Sequence, residues 1–210
     1  MLIDRANPYR DLTADRVLDA VAHTQLRRVP GTGRIAYSNL GVGLLGLALV
    51  NAARAGSYAE LVRSRICVPL GMTDTDVLDN IDQRRLAVGY QRGRPIDHWA
   101  LAGLAGAGAL LSTGNDMLKF LAAQLQPDLT PLGEAITLSQ QERHHSRRFG
   151  IALGWIVAGT PSNPILWHNG GTGGFAAFAG FDPAHGTGTV ALANSRRGPE
   201  PAGLRLLKRL

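Results

Sequence analysis

The sequence predicts an α+β fold. Apolar residues recur at helical spacing up to about residue 145, and beyond it short β-rich runs alternate with turns. Runs of that length predict antiparallel hairpins and not strand–helix–strand crossovers. In order, Thr13 is placed to cap a helix reaching about Leu26, with Val17, Leu18 and Val21 on its apolar face. Pro30-Gly31-Thr32-Gly33 breaks the chain into a turn. Ser38 or Asn39 caps the next helix, which ends at Gly56; its run from Leu40 to Ala53 predicts a buried core helix. Ser57-Tyr58-Ala59-Glu60 is a capping box for a short helix to about Cys67, ended by Pro69-Leu70-Gly71-Met72. Residues 84–97 predict a hairpin, with Leu86-Ala87-Val88 and Arg94-Pro95-Ile96 about Arg92-Gly93. A Gly/Ala-rich loop at 102–109 leads to Ser112-Thr113 and an amphipathic helix through Met117, Leu118, Phe120 and Leu121.

The second region carries extended runs at 149–157, 165–168, 175–181 and 187–193, with turns at 159–163 and 182–186 between them. Leu204, Leu206 and Leu207 suit a closing helix. One domain is expected over 1–210, mainly helical over 1–145, then antiparallel strands and a C-terminal helix over 146–210.

Composition narrows the function classes. Hydrophobic residues make up 45% and charged residues 18%, an ordinary globular balance. The net charge of +6 is the balance of 22 Lys+Arg against 16 Asp+Glu, and the arginine pairs are scattered along the chain without the interleaved aromatics of a nucleic-acid surface, so no nucleic-acid partner is expected. Cys67 stands alone, which leaves no intrachain disulfide. No segment reads as a signal peptide or membrane span, so a cytoplasmic location is the default.

Several strings invite chemistry and do not sustain it. Gly41-Val42-Gly43-Leu44-Leu45-Gly46 has dinucleotide-loop spacing, but the position twenty residues beyond Gly46 is Ile66, where a ribose would need a carboxylate. Gly170-Gly171-Thr172-Gly173-Gly174 lacks the Lys-Ser/Thr ending of a phosphate loop and fits better as a turn where backbone approaches a substrate. His144-His145 are adjacent, so their side chains diverge, and no carboxylate or cysteine cluster accompanies them. Neither a metal nor a cofactor is expected.

Tyr37-Ser38-Asn39 and His168-Asn169-Gly170 are different in setting. The first sits on a rigid loop at a helix start, and the second ends a strand and opens a glycine-rich turn. A loop tyrosine can shuttle a proton when a cation lowers its pKa from about 10. An asparagine amide can both donate to and accept from a substrate amide. A strand edge beside glycines can offer backbone N–H groups to a developing oxyanion.

With these strings the sequence resembles the beta-lactamase-related serine hydrolases, which include class C beta-lactamases, D-alanyl-D-alanine carboxypeptidases, D-aminopeptidases and esterases. The resemblance covers nearly all 210 residues in family order. It runs through Asn7-Pro8-Tyr9, Tyr37-Ser38-Asn39-Leu40-Gly41, Pro69-Leu70-Gly71-Met72-Thr73-Asp74-Thr75 and Ser112-Thr113-Gly114-Asn115-Asp116. It continues through His168 to Phe175, Gly180-Phe181-Asp182-Pro183 and Ala193-Asn194-Ser195. The resemblance implies a beta-lactamase/transpeptidase-like fold acting on a small ester, peptide or lactam. It implies Tyr37 as general base and acid, Asn39 as the residue orienting substrate, and His168 in the cationic position. Gly170, Gly171 and Thr172 would bind substrate, with the Gly171 N–H as half the oxyanion hole. Histidine in that position has a charge that varies near neutral pH, which favours esterase or peptidase chemistry over efficient beta-lactamase action.

The family's first motif, Ser-x-x-Lys, has no counterpart. The chain has two lysines, Lys119 and Lys208, and Asp116 and Arg205 stand three residues before them. Two expectations follow. One is a truncated C-terminal portion of a hydrolase, with the N-terminal part of its fold missing. The other is a degenerate, non-catalytic binding protein. The first is favoured because incomplete cores are seldom stable alone. An incomplete sheet would expose an edge, so self-association through it is also expected.

Overall fold

A computed structural model describes residues 7–26, 28–29, 35–145, 149–160 and 162–209. The α-helices among the described residues are α1 (Ala14–Ala22), α2 (Asn39–Ala53), α3 (Tyr58–Val62), α4 (Gly114–Leu125), α5 (Gly133–Gln140) and α6 (Glu200–Leu207). The first four strands are short: β1 (Asp76–Val77), β2 (Gly89–Gln91), β3 (Arg94–Ile96) and β4 (Leu110–Leu111). Six more form the main sheet: β5 (His144–His145), β6 (Gly150–Ile151), β7 (Ile156–Thr160), β8 (Asn163–Thr172), β9 (Phe175–Asp182) and β10 (Thr187–Ala193). The sheet is antiparallel in the order β10-β9-β8-β7-β6-β5, and β1–β4 and β2–β3 form two small antiparallel pairs. The α+β class and the hairpin topology are as the sequence predicts.

The sheet is covered on both faces, and β9 shows how. Phe178 and Phe181 are three residues apart on a strand and so project to opposite faces. Phe181, 0% exposed, joins Leu121 of α4 together with Trp155, Val157 and Leu166. Phe178 stacks on Trp167, and a Cβ at Gly203 of α6 would meet its ring, so a larger residue there would lift that helix. A second cluster, Val62, Cys67 and Met72, seats α3 and the π-helical turn Arg63–Cys67 against Met117 and Phe120.

Asp116, 1% exposed, ties the two regions of sequence around α4. Its Oδ2 accepts from the Asp74 N–H at 2.7 Å and the Thr75 hydroxyl at 2.9 Å, and its Oδ1 accepts from Lys119 Nζ at 2.9 Å. Thr75 Oγ1 also lies 2.7 Å from Ser112 Oγ, and Thr113 caps α4 through the Asp116 N–H. The Pro69–Thr75 and Ser112–Asp116 strings, separate in sequence, are thus one hydrogen-bonded unit.

Several local expectations are corrected. The first helix stops at Ala22, where the Thr24 hydroxyl takes the Ala20 carbonyl that the Thr24 N–H would use in a further turn, and that N–H bonds to the Val21 carbonyl instead. Helix α2 ends at Arg54, which takes the left-handed conformation (φ 52°) expected of Gly56. In the capping box Ser57 accepts from the Glu60 N–H, but Glu60 reaches back to Gly56 N–H, one residue earlier than the reciprocal bond requires. The hairpin turn is Arg92-Gly93, both with positive φ, and its two-residue geometry puts the first arm at 89–91 instead of 86–88. The 102–109 loop contains a 3-10 helix, Ala102–Ala107. Strand β8 does not stop at His168 but continues to Thr172. The turn expected at Pro30–Gly33 lies outside the described residues.

Helix α2 departs most from expectation. Only Gly43 and Gly46 are buried, the first against Leu104 and the second against the Gly106 backbone. Leu40, Val42, Leu45 and Leu49 are exposed. Apolar composition predicts burial on every side, yet close approach needs only the glycine stripe, and the described residues cover no more than that side. Among the described residues no single helix is long and apolar enough to cross a membrane; α2 and Tyr58–Cys67 reach that length together but bend by 73°.

Candidate active site

The Tyr37 loop and strand β8 meet across a cleft of 1560 Å³. Ser38 is the N-cap of α2, its hydroxyl accepting from the Gly41 N–H at 2.9 Å, which explains why the chain turns sharply there. That bond fixes the residues on either side. Tyr37 precedes the cap and projects from it, 78% exposed, and Asn39 opens the helix. Across the cleft the His168 ring lies 6.5 Å from the Tyr37 ring, centroid to centroid, with 30° between planes.

Strand alternation sorts the third string. Leu166 points to the α4 face, so His168, Gly170 and Thr172 follow it on that side. Trp167 and Asn169 take the other face, where Trp167 stacks on Phe178 and the Asn169 amide donates to Glu200 in the first turn of α6. Strand β7 accompanies β8 only to the pair Ile156↔Trp167, while β9 continues to Thr172↔Phe175. Among the described residues β8 therefore has a strand on one side only from His168 onward, and its other edge borders the cleft. Gly170 and Gly171 are exposed there, whereas Gly173 and Gly174 are buried.

Tyr37, Asn39, His168, Gly170, Gly171 and Thr172 all line this one cleft, so the structure brings together every site residue the sequence singled out. Sequence reasoning assigned no role to others in it. Tyr9, His98, Trp99 and Phe175 also line the wall. Asn7-Pro8-Tyr9 was legible only as a string in family order; its partners at 98–100 are 91 and 93 residues away, and nothing local signals that contact.

The side chain facing Tyr37 is an imidazole and not an ammonium. Lys119 is held by Asp116 and the Gly71 carbonyl, and Lys208 is the C-cap of α6. Burial works against the charge of Asp116, but the hydrogen bonds from Lys119, the Asp74 amide and Thr75 outweigh it and hold the carboxyl below its ordinary range. Among the described residues no three His, Cys, Asp or Glu side chains converge as metal ligands would. His145 instead lies 2.9 Å from Glu142, on the exposed strand β5. What the cleft offers is a phenol, an imidazole, an amide and an open strand edge, which suits proton transfer and oxyanion stabilisation.

The chain is similar to known proteins across almost its whole length. Residues 2–210 match the family model described as Beta-lactamase. The D-alanyl-D-alanine-carboxypeptidase/endopeptidase AmpH of Escherichia coli (strain K12) is 32% identical over 184 residues, covering 80% of this chain and 47% of that protein. A beta-lactamase of Yersinia enterocolitica is 27% identical over 197 residues, covering 75% of this chain and 50% of that protein. The chain spans about half the length of these curated relatives. A class C beta lactamase from Rhodobacter sphaeroides has a crystal structure that matches with a TM-score of 0.79 at 23% identity, over 96% of this chain and 64% of that one. That likeness extends to the fold.

Proposed function

The chain belongs to the beta-lactamase family, and on that footing we propose that it is the C-terminal portion of a serine hydrolase acting on an ester, peptide or lactam. In this reading Tyr37 passes the proton of the nucleophile and leaving group, Asn39 orients the substrate, and His168 supplies the neighbouring cation. Gly170, Gly171 and Thr172 line the acyl group, with the Gly171 N–H facing the developing oxyanion. The observation that carries it is the meeting of Tyr37 and His168 across one cleft from strings 131 residues apart. The sequence holds no Ser-x-x-Lys, and Ser38 is engaged as a helix cap. The 210 residues alone therefore form no acyl-enzyme and give no turnover. Completion requires a serine and a lysine from other polypeptide.

The test uses the purified chain with p-nitrophenyl esters and nitrocefin, and with fluorophosphonate and penicillin probes. No hydrolysis and no labelling are expected. Hydrolysis that Tyr37→Phe abolishes would show that a nucleophile is already present. A second arm extends the chain by the polypeptide encoded upstream in any frame. A Ser-x-x-Lys there, with activity that Tyr37→Phe lowers by about 10²–10⁴, supports the proposal. Absence of both favours the degenerate binding protein instead.

A further inference from the structure

We propose that Asn7, Tyr9 and Trp99 are positioning residues for the glycine turn after His168; this deepens, and rests on, the reading of that turn as the oxyanion wall. The turn needs a brace. Strand β7 leaves β8 after Trp167, so among the described residues the hairpin tip from His168 to Phe175 is paired along β9 alone. A two-stranded tip with four glycines has little stiffness of its own. The segment Gly89–Trp99 supplies what β7 does not.

Its contacts with the tip are close. A Cβ on Gly173 would lie 2.7 Å from Trp99 Cδ1 and 3.2 Å from Cε2, so the indole rests directly on that glycine. The carbonyl of Gly174, at φ +74°, shares the Tyr90 N–H with the Asn194 carbonyl, at 3.2 Å and 3.0 Å, and His98 stacks on Phe175 with centroids 4.6 Å apart. Trp99 is in turn fixed from the N-terminal side. The buried Asn7 uses both ends of its amide on the backbone flanking Trp99. Its Nδ2 donates to the His98 carbonyl at 3.3 Å and its Oδ1 accepts from the Ala100 N–H at 3.3 Å. Tyr9 meets the indole edge-on at 5.4 Å and 64°. The chain of contact runs Asn7 and Tyr9, Trp99, Gly173, and then the exposed Gly170 and Gly171.

The test is amide hydrogen exchange by mass spectrometry on the 210-residue chain, comparing peptides over 168–175 with peptides from α4 and β10. Asn7→Ala and Trp99→Ala are expected to speed exchange at 168–175 by about tenfold and leave α4 and β10 unchanged. Trp99→Phe, which keeps a ring against Gly173, is expected to restore most of the protection. Unchanged exchange at 168–175 overturns the proposal. A uniform rise in every peptide overturns it equally, since these residues would then serve only global stability. Should Trp99→Ala fail to fold, Asn7→Ala decides by the same criterion. No turnover enters the measurement, so an extended chain without activity counts against the proposed function and not against this brace.

Discussion

Replacing Asp116 by alanine should cost this protein about 2–5 kcal/mol. The carboxylate accepts three hydrogen bonds, and their loss is unequal. Lys119 is 45% exposed and keeps the Gly71 carbonyl, so its contribution is largely replaced by water. The Asp74 N–H and the Thr75 hydroxyl lose a buried acceptor, at about 1–3 kcal/mol for each group left unsatisfied. Thr75 retains Ser112, which sets the lower end of the range. For a chain of this size about 1 kcal/mol moves Tm by about 2–4 °C, so the midpoint should fall by about 4–20 °C in a thermal melt followed by circular dichroism at pH 7. Asp116→Asn should not rescue it, because its NH₂ must face either Lys119 or the Asp74 and Thr75 donors. The pH dependence supplies a second check. Since the folded pKa lies below the unfolded value of about 3.9, the stabilisation is present above that value and is lost as pH falls through the folded one. The Tm gap between wild type and Asp116→Ala should therefore hold from pH 7 to about pH 4 and narrow below it. A drop under about 2 °C at pH 7, or an equal gap at pH 3, would refute the argument.

Gly43→Val should destabilise by about 1–3 kcal/mol, because even the first added carbon lies 3.0 Å from Leu104 Cβ; Ala52→Val on the exposed side of the same helix should stay within about 0.5 kcal/mol. Urea denaturation compares the two, and equal effects would deny the glycine contact its role. At the sheet edge, strand β10 pairs only with β9 among the described residues, and Leu192 on it is exposed. If the edge mediates self-association, Leu192→Lys should lower the apparent mass of concentrated protein in light scattering, and an unchanged mass would rule out that route.

Much of this architecture was legible because it is governed locally. Thr13, Ser38, Ser57 and Thr113 cap the helices expected of them, since each hydroxyl accepts from an N–H three residues on. Arg92-Gly93 fixes its hairpin by backbone conformation alone. The cleft residues were legible as the Tyr37 and His168 strings, which the fold brings to one cleft. What escaped was set at long range. The short strands β1 and β4 exist only because Asp76–Val77 meets Leu110–Leu111 across some 33 residues. Asp116 could be read from sequence only as part of a string, because its burial and its partners depend on where the Pro69–Thr75 segment lands. The apolar run of α2 misled for the same reason: composition records that a helix can be buried, not which of its sides finds a neighbour.

That helix also has a practical consequence. Its inward side is two glycines in contact, and its outward side is leucine and valine in contact with water. Placing glutamate or lysine at Val42, Leu45 and Leu49 therefore alters colloidal behaviour without entering the packed interior. Those three positions are where a more tractable version of the protein for expression and crystal growth should be sought, with Gly43 and Gly46 left as they are.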